Sequence, residues 1–167
     1  MPWIPYPAIR FLRRRLNSNS HVLEIGSGMS TLWLASLCAR VDSIEADQRW
    51  KDLLQAELVR RRIANARIIF RWCASEMCDF SQWPDASIDL ALVDGGPRPE
   101  CFTAALPKIK SGGLIYVDNT DIDKTSRDAG ERLMSHAREH GCRMWIFRGF
   151  IPCNLFVNEG MLLQKNG

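Results

Sequence analysis

The sequence lacks any apolar run approaching the roughly 20 residues that a membrane-spanning helix needs. It has no low-complexity tract and no internal repeat at solenoid spacing. The opening, "MPWIPYPAIRFLRRRL", has its prolines first and its charges last, the reverse of a secretory signal. Six cysteines are present (Cys38, Cys73, Cys78, Cys101, Cys142 and Cys153), but none forms a C-x-x-C pair and no set has zinc-ligand spacing. Several lie in apolar stretches, where a thiol behaves as a small hydrophobe. Reduced, mostly buried cysteines imply a cytoplasmic protein. The only tyrosines are Tyr6 and Tyr116, and neither begins a Tyr-x-x-x-Lys pair. No Walker-type lysine follows the glycines, so a P-loop is excluded. The net charge of +3 is small, and the arginines at 13–15 and 60–62 read as solvated helix faces. A nucleic-acid or membrane partner is therefore not expected.

Hydrophobic residues at 46% and charged residues at 25% fit a globular chain, and 167 residues fit a single domain spanning 1–167. Short apolar runs alternate with helix-period segments. Strands are predicted at 21–25, 41–46, 66–72, 88–94 and 113–118. Helices are predicted at 30–40, after Asp47, after Pro97 and Pro99, and around 125–140. The helix after Pro99 is read as carrying Phe102, Leu106 and Ile109. An opening helix carries Ile9, Leu12 and Leu16 and is placed near the first strand. Alternation of this kind specifies an α/β fold with a parallel sheet and helices on both faces, a Rossmann-like three-layer sandwich. The last two apolar stretches, 142–147 and 154–164, have no helix between them and are read as a closing antiparallel hairpin.

The stretch "VLEIGSGMST" (22–31) runs from strand through glycines into helix, the context of a ligand loop. Gly26 and Gly28 permit a tight turn and close approach of a ligand. An unliganded turn would explain two glycines as well. Glu45, 19 positions beyond Gly26 at the end of the second strand, stands where a carboxylate can hold a ribose diol. Thr31 occupies the position of the third glycine of the dinucleotide pattern, and Glu24 precedes the loop. An acid there repels pyrophosphate but attracts an ammonium group. Both features favour S-adenosylmethionine over a dinucleotide.

Four stretches together resemble class I S-adenosylmethionine-dependent methyltransferases: "VLEIGSGMST", "SIEAD", "IDLALVDGGPR" and "LPKIKSGGLIYVDN", in the expected order. The resemblance implies a seven-stranded sheet of order 3-2-1-4-5-7-6, mostly parallel, with an antiparallel C-terminal hairpin. It also implies that Glu24 holds the methionine end, that Gly26 and Gly28 allow cofactor approach, and that Glu45 holds the ribose. Ala74 and Ser75 would lie near the adenine, although "RWCASEM" matches the third motif poorly.

Asp94 and Asp118 end neighbouring strands, and Asn119 follows. This trio resembles the metal ligands of catechol-type O-methyltransferases, which implies Mg²⁺ as a second cofactor bound by oxygen donors. The lysine base of those enzymes is absent, and Arg98, which cannot act as a base, stands in its neighbourhood. Asp94 is the candidate catalytic residue, able to take a proton or orient an acceptor. The short chain implies a small-molecule substrate methylated on oxygen or nitrogen, and nothing specifies an oligomeric state. Two alternatives stay open: a short NAD(P)-dependent oxidoreductase, and a non-catalytic binding or scaffold domain with the same fold.

Overall fold

The computed structural model describes residues 1–167. Seven strands form one sheet: β1 (His21–Ile25), β2 (Arg40–Glu45), β3 (Ala66–Phe70), β4 (Ile88–Val93), β5 (Ile109–Asp118), β6 (Arg143–Phe150) and β7 (Val157–Gln164). Their order is β3-β2-β1-β4-β5-β7-β6. The first five run parallel, and β7 is antiparallel to both β5 and β6. The helices are α1 (Tyr6–Arg15), α2 (Met29–Ala35), α3 (Gln48–Arg60), α4 (Ala74–Met77), α5 (Arg98–Ala105) and α6 (Lys124–His140). This is the Rossmann-like three-layer architecture expected from the alternating pattern.

The apolar runs of the central strands follow from burial on both faces. Leu23, Ile25, Ala91, Val93, Ile115 and Val117 pack with Phe102 of α5 and Leu133 of α6. The alternate residues Val22, Leu90, Leu92, Leu114 and Tyr116 pack with Ile9 and Leu12 of α1 and Leu34 of α2. Each fully buried aliphatic side chain contributes about 1.5–3 kcal/mol. Asp47 caps α3 by accepting from the amides of Arg49 and Trp50 at 2.8 and 3.0 Å.

Several boundaries differ from the sequence expectation. β5 begins at Ile109, so Ile109 belongs to a strand and not to the preceding helix, which ends before a 3-10 turn at Leu106–Lys108. "KSGG" is an irregularity inside the strand: Gly112 takes φ +76°, and a Cβ on Gly113 would stand 3.1 Å from the Asp89 carbonyl. The register of β4 on β5 shifts there. α2 stops at Ala35, where Ser36 turns its hydroxyl back to the Trp33 carbonyl. β6 runs on to Phe150, and β7 starts at Val157. α1 reaches beyond β1 to the far edge, where Phe11 packs on Trp145 and Phe147 at centroid distances of 4.9 and 5.3 Å.

The amino ends of the strands carry a separate polar hub. Asp42 is fully buried and accepts from Trp83 Nε1 at 2.7 Å and Arg67 Nε at 2.6 Å. Arg40 donates at 3.1 Å, and His21 Nε2 lies 2.9 Å away. Burial alone would raise this carboxyl, but its hydrogen bonds hold it well below the usual carboxylate range. His21 is thus at the end of the sheet remote from the glycine loop, as its place at the start of β1 implies. All six cysteines are free. No helix is long and apolar enough to cross a membrane.

Candidate active site

The glycine loop joins β1 to α2 at the carboxyl ends of the strands, where open α/β sheets bind ligands. Gly26 takes φ +91°, and a Cβ there would stand 3.0 Å from the Asp94 carbonyl carbon and the Gly95 nitrogen. The first glycine is therefore demanded by the backbone after β4, not only by a ligand. Gly28 has extended backbone, would meet only Ser30 Oγ, at 3.8 Å, with an added Cβ, and precedes α2 as its cap.

Glu24 lies beneath this loop, fully buried. Its Oε2 accepts from the hydroxyls of Thr31 and Ser43, and Oε1 has no partner. Burial pushes its pKa up to about 7, against the lowering effect of the nearby Ser30, Ser43 and Thr31 hydroxyls. Thr31 also accepts from the Gly28 amide at 3.0 Å. The residue in place of a third glycine thus ties the loop to the buried acid, a role that spacing alone does not reveal.

Glu45 is fixed by main-chain donors. Oε1 accepts from the amides of Ala46 and Asp47, both at 2.8 Å, and Oε2 accepts from Ser27 at 3.1 Å. An ionised carboxylate has about four acceptor positions, which leaves about one free. Beside it a shallow depression is lined by Asp47, Gln48 and Phe70. Ala74 and Ser75 stand exposed at the start of α4, and neither lines that depression or the glycine-loop cavity.

That cavity holds about 250 Å³ and is lined by Gly26, Ser27, Gly28, Met29, Ser30, Asp94, Trp3 and Trp50. Trp50 donates its indole N–H to the Ser27 carbonyl at 2.8 Å, and Ser27 Oγ is buried without a partner. Trp3, from the segment before α1, was not apparent as a site residue, because nothing local links it to the glycine loop. Trp145 and Phe147 pack on α1, whereas Phe150 is exposed on the hairpin.

Asp94, Asp118 and Asn119 are brought to one place by β4 and β5. Asp118 is buried and accepts from Tyr116 Oη at 2.8 Å and Asn158 Nδ2 at 3.1 Å. Asn119, at φ +59°, donates from Nδ2 to Asn158 Oδ1 at 2.9 Å. Its Oδ1 accepts from Arg98 Nη2 at 3.2 Å. Asp94 Oδ1 lies 3.5 Å from Arg98 Nη2. Burial pushes the Asp94 carboxyl up to about 7; Arg98 opposes the rise and Glu24 adds to it. Burial and then Asp94 raise Asp118. Each oxygen of Asp118 and Oδ1 of Asn119 thus already serves one protein donor, and a guanidinium faces Asp94. With that positive charge already on Asn119 Oδ1 and beside Asp94, the donor set does not fit a divalent cation. Asn158 and, beyond it, Glu159, which accepts from Thr120 at 2.7 Å, come from β7 and escaped the sequence reading.

A sheet of this order, with a glycine loop after β1 and an acid ending β2, defines a class I methyltransferase fold. A family model described as a methyltransferase domain matches residues 23–120, and the chain belongs to that family of S-adenosylmethionine-dependent enzymes. No curated protein matches the sequence. Among solved structures, an rRNA methylase from Streptococcus thermophilus is similar at TM-score 0.75 and 17% identity, over 97% of this chain and 96% of that one. The O-methyltransferase TomG from Streptomyces achromogenes, solved with S-adenosylmethionine, has TM-score 0.75 and 22% identity, over 95% of this chain and 77% of that one. An O-methyltransferase from Bacillus cereus, solved with S-adenosylhomocysteine, has TM-score 0.71 and 19% identity, over 93% and 78%. At these identities the likenesses establish the fold.

Proposed function

We propose that residues 1–167 act as one domain that binds S-adenosylmethionine on the glycine loop and transfers its methyl group to an oxygen or nitrogen of a small molecule. The observation that carries this reading is the cavity of about 250 Å³ that the glycine loop and Asp94 line together with Trp3 and Trp50. Its volume is near the lower end of small-ligand pockets, about 300 Å³. Orphaned buried polar atoms fit the cofactor: Glu24 Oε1 is an acceptor without a donor, and Ser27 Oγ is unpaired. Glu24 would hold the ammonium end, Gly26 and Gly28 would lie along the cofactor, and Glu45 would take a ribose hydroxyl on its remaining acceptor position. Ala74 and Ser75 fit an adenine contact less well, since they stand outside both depressions.

When bound, the cofactor supplies an electrophilic methyl carbon on a sulfonium. The chain's part is to align the acceptor, exclude water and receive the proton the acceptor loses. Asp94 lines the cavity, and its pKa of about 7 suits a proton acceptor near neutral pH. Trp3 and Trp50 supply apolar lining. The Streptococcus neighbour's name raises RNA as a substrate. Against it, Arg15 lines a groove with Ser20, Asp89 and Lys110 at the amino ends of the strands, opposite the cavity. Arg60 and Arg61, at the end of α3 leading to β3, pair with Glu57.

The test is transfer of radiolabelled methyl from S-adenosylmethionine to a panel of phenols, amines and small carboxylic acids, with total RNA as a parallel arm. Label in a small molecule, lost in Asp94→Ala, supports the reading. Label in RNA alone overturns the substrate class.

A further inference from the structure

Three acids converge on the ends of adjacent strands: Glu24 from β1, Asp94 just after β4 and Asp118 ending β5. One cation stands among them. The Arg98 guanidinium donates from Nη2 to the Asp94 main-chain oxygen at 3.1 Å and to Asn119 Oδ1 at 3.2 Å. It donates from Nη1 to Ser126 Oγ at 3.0 Å. Its Nε is buried without a partner, a donor that a purely structural ion pair would satisfy.

The placement runs against local preference. Arg98 opens α5, and the first turn of a helix disfavours a positive charge. What offsets that cost is the acidic cluster itself. Asn119 holds a left-handed backbone, and its side-chain Oδ1 accepts from the guanidinium. Arg98 thus joins β4, β5 and α6 through one planar group with fixed donors.

We propose that Arg98 is the resident cation of the transfer site, a positioning residue that orients Asp94 and Asn119 where the catechol-type resemblance would put a divalent metal, so that transfer proceeds without one. The proposal rests on the methyltransferase reading for the meaning of the site, but its physical content is separate. A guanidinium does not deprotonate and does not exchange with solvent ions. It keeps a fixed positive charge beside Asp94 and uses the oxygen of Asn119 that a metal would need. The acceptor atom must then be activated by Asp94 alone, which favours acceptors that ionise readily or are already basic.

The test uses Mn²⁺ as the probe, read by the loss of its free-ion paramagnetic resonance signal. Wild type at millimolar Mn²⁺ leaves the signal at full amplitude. Arg98→Ala opens the cluster and takes up a single Mn²⁺ per chain, and Asp118→Asn in that background abolishes the uptake. Arg98→Lys keeps the charge and stays silent. Arg98→Met, which keeps most of the side-chain volume, repeats the alanine result if alanine perturbs folding; cooperative thermal melts identify folded samples. A wild type that binds Mn²⁺ at a site lost in Asp118→Asn overturns the proposal. So do folded Arg98→Ala and Arg98→Met proteins that bind none. Calorimetry with S-adenosylhomocysteine in EDTA, on the same wild-type sample, keeps the two readings apart. Absence of that binding overturns the methyltransferase reading, while the Mn²⁺ results still decide the role of Arg98.

Discussion

Replacing Glu24 with glutamine removes a fully buried acid while keeping its shape. In the unliganded protein, burial raises Glu24 from 4.5 to about 7. Between those values the native state binds the proton more tightly than the unfolded chain. Stability is therefore fully present below the unfolded value of 4.5 and is lost as pH rises towards about 7. At 1.36 kcal/mol per pKa unit, the loss by pH 8 is about 3 kcal/mol. Asp94, raised from 3.8 to about 7, steepens the same decline. Part of its rise comes from Glu24, so removing Glu24 reduces both contributions. The assay is urea unfolding of the unliganded protein from about pH 5 to about pH 8 at constant ionic strength. Wild type loses stability across that range, and Glu24→Gln loses about 3 kcal/mol less. Equal slopes for the two proteins would refute the reasoning.

Gly26→Ala places a Cβ 3.0 Å from the Asp94–Gly95 backbone at φ +91°. The expected cost is about 2 kcal/mol or more in urea unfolding. Asp42→Ala leaves the Trp83 indole and two arginines without their acceptor. Because Arg40 and Arg67 are half exposed and can turn to water, the expected loss is about 2 kcal/mol, below the usual range for a broken buried pair. Asp42 is held low in the folded state, so its contribution is present above the unfolded value of 3.8 and is lost as pH falls further, which an acid unfolding curve reads. Glu45→Ala should weaken S-adenosylhomocysteine binding by about 1.5–3 kcal/mol in calorimetry. It should also loosen the loop, because the Ser27 amide loses its acceptor.

The sheet was legible because its central strands bury both faces and so read as apolar runs, and because Asp47, Pro97 and Pro99 punctuate the helices. The glycine loop was legible for the same local reason. What escaped was set by contacts distant in sequence. Gly26 answers to Asp94 and Gly95, and Thr31 reaches Glu24 together with Ser43 from the neighbouring strand. Asn158 joins Asp118 to Asn119 from β7. Trp3 lines a cavity whose next lining residue, Gly26, comes more than twenty residues later. The grouping of Asp94, Asp118 and Asn119 could be read from adjacent strand ends. That Arg98 occupies Asn119 Oδ1 could not, because spacing does not say which donor an oxygen already serves.

The central claim, a methyl-donor pocket built on the glycine loop, Glu24 and Glu45, is tested most directly by titration calorimetry of the unmodified protein with S-adenosylhomocysteine and with NAD. The account predicts one S-adenosylhomocysteine bound per chain and far weaker binding of NAD. Binding of NAD without S-adenosylhomocysteine, or no heat from either S-adenosylhomocysteine or S-adenosylmethionine, would contradict it.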